Sequence, residues 1–176
     1  MATQLLLVRL AVLFLLCSTS LASVANVMPV PIGTRTNRNT SRHSIIFILT
    51  DDQDMALGGL TPMTKLKELV IDQGTLFTNA FVSTPICCPS RSSILTGKYV
   101  HNHGARNNSL QGNCAGADWV ANNEKATIAT ALQQLGYKTM FAGKYLNQYG
   151  VEGSPSPVSH VPPGWDSWLG LCGNSK

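Results

Sequence analysis

The fold is decided by the stretch Cys87-Cys88-Pro89-Ser90-Arg91-Ser92-Ser93-Ile94-Leu95-Thr96-Gly97. The proline and serine after the two cysteines suit the first turn of a helix, so the stretch predicts a short helix over 90–96 that ends at Gly97. Cys87 would then lie beside the helix N-terminus, where the dipole and free N–H groups attract anions. Arg91 adds a planar set of donors that suits a tetrahedral oxyanion. The alternative is that Cys87 is a disulfide cysteine in a turn.

Upstream of this stretch, a short apolar run ends in carboxylates. The run Ser44-Ile45-Ile46-Phe47-Ile48-Leu49 is rich in β-branched residues and predicts a buried parallel strand. Asp51 and Asp52 follow it, at the end of a strand where open α/β sheets bind ligands. Burying two adjacent carboxylates is unfavourable without a neutralising partner, and Ca²⁺ or Mg²⁺ takes oxygen ligands. A helix N-cap or a solvated turn is the alternative, and Asp54 is expected to face solvent or to cap the next segment.

The remaining periodicity predicts alternating elements. The first is a helix with apolar residues at Met63, Leu66, Leu69 and Val70 and a terminal Gly74, and a strand over 75–83 follows it. Next come a helix with Ile128, Leu132 and Leu135 that ends at Gly136, and a strand over 137–142 that leads into Lys144. A long loop over 150–164 comes after this strand. Together with the elements above, they give the order β, α, β, α, α, β. This order indicates an α/β fold class.

Composition narrows the class of protein. The chain has 176 residues, which corresponds to about one domain. Only 12% of the residues are charged and the net charge is +4, without a Lys/Arg cluster, so charge does not point to a nucleic-acid partner. No stretch approaches the roughly 20 apolar residues that would span a membrane.

The N-terminus has the pattern of a secretory signal peptide. Arg9 precedes an apolar run over 10–16, and small residues stand at Ser20 and Ala22. This pattern predicts a signal peptide over 1–22 with cleavage after Ala22; a short buried helix is the alternative. Residues 23–43 are expected to form a flexible leader. The compartment would be oxidising and would permit disulfides.

The motifs together resemble a known family. The residues Cys87, Pro89, Ser90, Arg91, Leu95, Thr96 and Gly97 fit the first sulfatase signature, and the stretch Gly136-Tyr137-Lys138-Thr139-Met140-Phe141-Ala142-Gly143-Lys144-Tyr145-Leu146 fits the second. The apolar run that ends at Asp51-Asp52 is the third landmark. Residues 44–176 are therefore identified as similar to the N-terminal portion of a formylglycine-dependent sulfatase catalytic domain. The resemblance implies an alkaline-phosphatase-like α/β fold.

The resemblance also implies a mechanism. In this family the cysteine at position 87 is oxidised to formylglycine by the formylglycine-generating enzyme, and one hydroxyl of the hydrated aldehyde attacks sulfur before the second expels sulfate. Asp51, Asp52 and the modified Cys87 match the family's Ca²⁺ ligands. Arg91 matches the arginine that holds the formylglycine, and Lys144 matches the lysine that contacts the sulfate.

Several stretches resemble N-acetylglucosamine-6-sulfatases and extracellular heparan 6-O-endosulfatases. They are Ile86-Cys87-Cys88-Pro89, the run over 95–103, Gly143-Lys144-Tyr145-Leu146-Asn147 and Pro162-Pro163-Gly164-Trp165. The implied substrate is 6-O-sulfated N-acetylglucosamine in heparan or keratan sulfate, in the lysosome or, alternatively, outside the cell. Leu146 stands where many arylsulfatases have a histidine. A phosphohydrolase of the same fold would more naturally carry Ser or Thr at position 87.

Weaker signals remain beside these motifs. Asn39 and Asn107 begin glycosylation sequons. If Cys87 is modified, the pairing of the other cysteines stays open; they are Cys88, Cys114 and Cys172. We expect His101 and His103 at the surface or the rim of a cleft, Lys98 as a support of the helix after Cys87, and the three tryptophans as core or loop anchors.

We expect little or no sulfatase activity from this polypeptide on its own, as a truncated sulfatase-like chain. The resemblance implies that further metal ligands and further His and Lys residues come from a segment beyond position 176, whereas Ca²⁺ takes six to eight oxygens. The check is turnover of a fluorogenic sulfate ester by the mature chain, purified after coexpression with the modifying enzyme. Substantial turnover would overturn this expectation.

Overall fold

The structure is a computed structural model that describes residues 42–173. The chain divides into two units, residues 1–46 and 47–176. Of the first unit only residues 42–46 are described; they form neither helix nor strand, and all five are exposed. The predicted signal peptide over 1–22, the Asn39 sequon and nearly all of the leader lie outside the described residues. Within the described range, no helix is long and apolar enough to cross a membrane.

The second unit consists of short helices followed by two strands. The helices are α1 (Thr64–Leu66), which continues as a π-helical segment (Lys67–Ile71), α2 (Cys87–Thr96), α3 (Val100–His103), α4 (Ala117–Asn122) and α5 (Ile128–Gln134). Two 3₁₀ turns, Leu110–Gly112 and Glu124–Ala126, lie between them. Strands β1 (Met140–Lys144) and β2 (Ser167–Leu171) pair in parallel, with Met140 opposite Ser167 and Lys144 opposite Leu171. The described residues thus mix helix and strand.

Two of the predicted strands are wrong. Residues 44–49 are not a strand, and Ile46, Phe47 and Ile48 are 69–86% exposed. Residues 75–83 also lack a strand, and Phe81 is 88% exposed. A buried parallel strand needs neighbouring strands and covered faces, and among the described residues β1 and β2 pair only with each other. An apolar run indicates that burial of its side chains would be favourable, but it does not specify the neighbouring strand that would bury them.

The predicted helices are confirmed, although their apolar faces are partly uncovered. The segment over 64–71 is helical with Met63 as its N-cap, and it ends at Ile71 with Asp72 as C-cap rather than at Gly74. Helix α5 ends as expected near Gly136, yet Ile128 and Leu135 are about half exposed. Helical spacing therefore predicted the local conformation correctly and overestimated the burial.

Helix α2 begins three residues earlier than predicted and ends as expected. Cys87 is its first residue, and Ile86 before it is extended. Gly97 closes the helix with a φ of 69°, the left-handed conformation that glycine adopts without a steric penalty. The backbone N–H of Gly97 donates to the carbonyl of Ser93 at 2.8 Å. The early start places Cys87 within the first turn rather than before it.

A small core forms between α2, α4 and the end of β1. Its buried residues include Trp119, Tyr145, Leu146 and Tyr149, and Trp168 packs against them. The disulfide Cys88–Cys114 lies in the same cluster and settles the pairing that the sequence left open. Closing a loop of this length contributes about 3–4 kcal/mol in the chain-entropy view. Cys172 is a free and exposed thiol.

The tryptophans are anchors, as expected. Trp119 is fully buried and packs edge-on against His103. Trp168 stacks on Phe141 at 4.6 Å between ring centroids, and Trp165 lies 5.3 Å from the same ring. The indole N–H of Trp168 donates to the hydroxyl of Tyr149 at 2.7 Å. These contacts hold β2 against the end of β1.

A buried carboxylate fastens the long loop that joins the two strands. Glu124 is fully buried, and its carboxylate lies 2.7 Å from Nε2 of His160. The hydroxyl of Tyr145 is 3.4 Å from the same carboxylate. Burial and the charge of Glu124 raise the pKa of Tyr145 well above its ordinary value, so this hydroxyl remains a donor.

Asp166 connects the start of β2 to the residue before β1. Its carboxylate accepts hydrogen bonds from the backbone N–H and the hydroxyl of Thr139 at 2.9 and 3.0 Å. Its own backbone N–H donates to the carbonyl of Thr139 at 3.0 Å. The N–H bond from Thr139, then that from its hydroxyl, lowers the pKa of Asp166 below its ordinary value of 3.8. The ionised carboxylate therefore stabilises the point at which β1 and β2 begin to pair.

We predict that Asp166→Asn lowers the melting temperature at neutral pH and removes part of the acid sensitivity. Because the folded pKa lies below the unfolded one, the contribution is complete above the unfolded pKa and is lost as pH falls through the folded pKa. The melting temperatures of wild type and variant should therefore differ near pH 7 and converge below about pH 4. Exposed Glu152, changed to Gln, is the matched control. A difference between wild type and Asp166→Asn that does not shrink in acid would contradict the prediction.

Candidate active site

Two adjacent carboxylates meet the first residue of helix α2. One ligand atom from each of Asp51, Asp52 and Cys87 lies within 4.8 Å of the others. The aspartates do not end a strand as predicted; they lie in an irregular turn in which Asp52 has a φ of 51°. The left-handed backbone turns two consecutive side chains to one place, which a regular strand would send to opposite faces. The structure thus brings the predicted metal ligands together through an irregular turn, where the sequence had predicted the end of a strand.

Two cations hold Asp51. Nη2 of Arg91 is 3.2 Å from one of its carboxylate oxygens, and Nζ of Lys144 is 2.8 Å from the other. Both cationic side chains are about nine-tenths buried, whereas Asp51 is 41% exposed. The hydrogen bond from Lys144, followed by that from Arg91, lowers the pKa of Asp51 despite the opposing effect of burial. The carboxylate is therefore ionised in the structure as described.

Arg91 also joins the helix to the strand. Its Nη1 donates to the backbone carbonyl of Lys144 at 2.6 Å, at the end of β1. The guanidinium group thus contacts the acidic turn and the strand end at once, which its planar fork of donors allows. Lys144 follows Gly143, whose φ is 113°, and its side chain returns to Asp51. All five residues predicted for the site, namely Asp51, Asp52, Cys87, Arg91 and Lys144, are consequently neighbours.

The donor set fits Ca²⁺ on one chemical condition. Two carboxylates supply the oxygen atoms that Ca²⁺ prefers, while a thiol is a soft ligand that it does not favour. The set becomes an all-oxygen set if residue 87 carries oxygen in place of sulfur. Cys87 is a free, partly exposed thiol in the structure, outside the disulfide that its neighbour forms. It is therefore available for such a modification.

His103 is not at the surface or a cleft rim, and that expectation is wrong. The residue is 1% exposed. Its Nδ1 accepts the backbone N–H of Ala105 at 3.1 Å, so Nε2 carries the proton and donates to Ser93 Oγ at 3.0 Å. Burial, followed by the charge of Lys98, lowers the pKa of His103 and favours this neutral form. A proton-donating Nε2 cannot activate Ser93 as a nucleophile, and the histidine is structural. His101 is exposed and stacks on Tyr99.

The remaining expectations concern Lys98, Asp54 and Leu146. Nζ of Lys98 donates to Asn123 Oδ1 at 3.2 Å, and Asn123 in turn donates to the carbonyl of His103. The side chain of Lys98 is thus linked to the region after α2, whereas the prediction made it a support of α2 itself. Asp54 caps the following turn by accepting the backbone N–H of Leu57 at 2.6 Å. Leu146 is fully buried and offers no polar group to the site.

Asn107 is exposed in an ordered loop. Its Oδ1 accepts the backbone N–H of Ser109 at 2.9 Å and the hydroxyl of the same serine at 2.8 Å. Neighbouring Asn108 accepts a hydrogen bond from the backbone of Cys88. In the sequence, Asn108 is only the middle residue of the Asn107 sequon, and no sequence pattern predicts its contact with helix α2, 20 residues away.

Comparison with known proteins places the chain in a family. A sequence model described as Sulfatase matches residues 43–170. The chain belongs to the sulfatase family. No solved structure matches it.

Curated relatives show which sulfatases this chain is similar to. The chain is 49% identical over 138 residues to the human N-acetylglucosamine-6-sulfatase, covering 78% of this chain and 25% of the relative. It is 46% identical over 140 residues to the goat (Capra hircus) N-acetylglucosamine-6-sulfatase, covering 79% and 25%. It is 47% identical over 135 residues to the extracellular sulfatase SULF-1 homolog of Drosophila melanogaster, covering 77% and 11%. The chain therefore spans about a quarter or less of the length of these relatives.

We predict that Arg91→Lys destabilises the chain by about 1–3 kcal/mol, since a buried charge-assisted contact is lost. Lysine carries a point charge and cannot reach both the Lys144 carbonyl and Asp51 in the same geometry. Urea unfolding followed by tryptophan fluorescence measures the change. Arg106→Lys, at an exposed arginine, is the control and should stay within about 0.5 kcal/mol of wild type. Equal stabilities of Arg91→Lys and wild type would show that the guanidinium bridge contributes nothing.

Proposed function

We propose that this chain carries the nucleophile, part of the cation site and the sulfate-binding groups of a sulfuric ester hydrolase. The observation that carries the proposal is the convergence of Asp51, Asp52 and Cys87 within 4.8 Å beside two buried cations. Membership in the sulfatase family supports the reaction class. The alkaline-phosphatase-like α/β fold belongs to the same proposal.

The cation would be Ca²⁺, held by Asp51, Asp52 and residue 87, and the nucleophile would be formylglycine derived from Cys87. When bound, Ca²⁺ would polarise a sulfate oxygen, and the hydrated aldehyde would supply the attacking hydroxyl. The support for both groups is the chemistry of the donor set, which suits Ca²⁺ only after sulfur at position 87 is replaced by oxygen.

The chain's own residues supply the electrostatics. Arg91 and Lys144 are about 90% buried and lie on one carboxylate, so their charges are fixed in direction and little screened by water. The N-terminus of α2 adds a partial positive charge beside residue 87. A sulfate ester is an anion, and this arrangement favours its approach to the nucleophile. Lys144 would contact the sulfate, and Arg91 would keep residue 87 and Asp51 in register.

The proposed substrate is the 6-O-sulfate of N-acetylglucosamine in heparan or keratan sulfate. Its support is the name and the 46–49% identity of the N-acetylglucosamine-6-sulfatases. The alternative is an extracellular heparan 6-O-endosulfatase, supported by 47% identity to a relative named as an extracellular sulfatase. A truncated, inactive sulfatase-like chain is the other alternative, because the described residues contribute only three ligand groups to the cation site.

The proposed cellular location follows from the predicted signal peptide, Cys87 and the Asn107 sequon. The predicted signal peptide over 1–22 would direct the chain into the secretory pathway and be removed after Ala22. The formylglycine-generating enzyme would act on Cys87 there, and the lysosome or the extracellular space would be the destination. Asn107 would carry a glycan, because it is exposed and lies in an ordered loop of the folded unit. Sulfated glycosaminoglycan is the proposed partner.

The modification of Cys87 is the direct test. We expect the reduced tryptic peptide over 68–91, from the chain secreted by a competent eukaryotic host, to contain an aldehyde in place of the Cys87 thiol. Mass spectrometry of that peptide and its capture by an aminooxy reagent measure the conversion. Cys87→Ser is the matched control and should give no capture, and Cys88 in the same peptide serves as an internal unmodified cysteine.

The same material separates the sulfatase proposal from the inactive, truncated alternative. Conversion at Cys87 with binding of sulfated, but not desulfated, N-acetylglucosamine oligosaccharides would support the proposal. A thiol at position 87 in every molecule would overturn it. Conversion without binding of any sulfated sugar would favour the inactive, truncated chain.

A further inference from the structure

Helix α2 lacks a side-chain cap of its own. The residue before it is Ile86, which has no hydrogen-bonding side chain. The first backbone N–H groups of a helix have no partner within the helix, and an uncapped start is less stable. The N–H of Cys88 nevertheless has a partner, because it donates to Oδ1 of Asn108 at 2.9 Å. The helix that begins with Cys87 is thus capped from a loop 20 residues further along the chain.

The loop that presents Asn108 is firmly held. The disulfide joins Cys114, at its far end, to Cys88 itself. The backbone N–H of Cys114 donates to the carbonyl of Ser109 at 3.0 Å, and that of Arg106 donates to the carbonyl of Gly112 at 2.7 Å. The loop therefore contacts Cys88 at two points, namely the sulfur atom of Cys88 and its backbone N–H.

Neighbouring Asn107 and Asn108 have opposite roles. Asn107 is exposed, and its amide packs closely on Gly112, where an added Cβ would collide with the Asn107 amide oxygen. Asn108 is partly buried and points its oxygen to the helix. One asparagine of the sequon is thus directed outward, and the next one inward.

We propose that Asn108 is a positioning residue for Cys87. By completing the first turn of α2, it fixes the direction in which residue 87 faces Asp51 and Asp52. Cys87 forms no disulfide, so its orientation depends on the backbone at Cys88, which Asn108 and Cys114 hold. The inference rests on the proposed function for its meaning, but its geometry is testable without any sulfatase activity.

The experiment uses the full chain from a secretory host, in four forms: wild type, Asn108→Ala, Asn108→Asp and Asn102→Ala. All four keep the Asn107 sequon, and Asn102 is an exposed control in α3. Amide hydrogen exchange reports the first turn of α2 at Cys88, Ser90 and Arg91. Residue 87 is probed by the rate of its reaction with iodoacetamide where it is a thiol, and with an aminooxy reagent where it is an aldehyde.

We expect Asn108→Ala to speed both amide exchange in the first turn and the reaction of residue 87 by about 3- to 30-fold, the range of a lost N-cap. Asn108→Asp keeps an acceptor oxygen and a favourable charge at the helix N-terminus, so it should return both rates to within about twofold of wild type. Asn102→Ala should leave them unchanged.

Three results would overturn the proposal. They are Asn108→Ala rates within twofold of wild type, no rescue by Asn108→Asp, and faster amide exchange without any change at residue 87. The identity of the reactive probe separately reports whether Cys87 is modified. An all-thiol chain with the expected rate pattern would therefore reject the proposed function and support the role of Asn108.

Discussion

The buried guanidinium of Arg91 is the contact on which the rest of the site depends. It originates in helix α2, donates to the carbonyl at the end of β1 and reaches the carboxylate of Asp51. Three segments that are distant in sequence meet at this one planar group. A buried cation is stable only when it has partners, so the need to satisfy Arg91 fixes the mutual position of the helix, the strand end and the acidic turn.

The charges of the candidate site nearly balance one another. Asp51 and Asp52 bring two negative charges to the place where Arg91 and Lys144 bring two positive ones. Asp51 is engaged by both cations, while Asp52 lies beside Cys87 at an exposed position. The site is thus close to neutral without a metal ion, and a divalent cation would leave it positive. A site with this balance suits an anionic ester, as the proposed reaction requires.

The sequence predicted what is local and missed what depends on distant partners. Helix α2 and its end at Gly97 follow from capping and backbone rules that operate within a few residues. The strand over 44–49 was wrong because pairing needs a neighbour that no apolar run specifies. Strand β2 was missed because it forms by pairing with β1, which lies 27 residues earlier in the chain. The candidate site residues were predicted from local motifs and from the family resemblance, whereas Asn108 and Glu124 matter through contacts with residues 20 and 36 positions away along the chain.

The parallel pair of β1 and β2 has a consequence for the behaviour of the chain in solution. Among the residues described, neither strand pairs with a further strand on its outer side, so both edges of the sheet lack a strand partner. Open edges pair readily with other strands, whether these come from the same polypeptide or from another molecule. Exposed apolar side chains such as Phe47 and Phe81 add to the tendency. Within the described residues, the sheet is therefore both a template for further strands and a place where molecules of this chain would associate with one another.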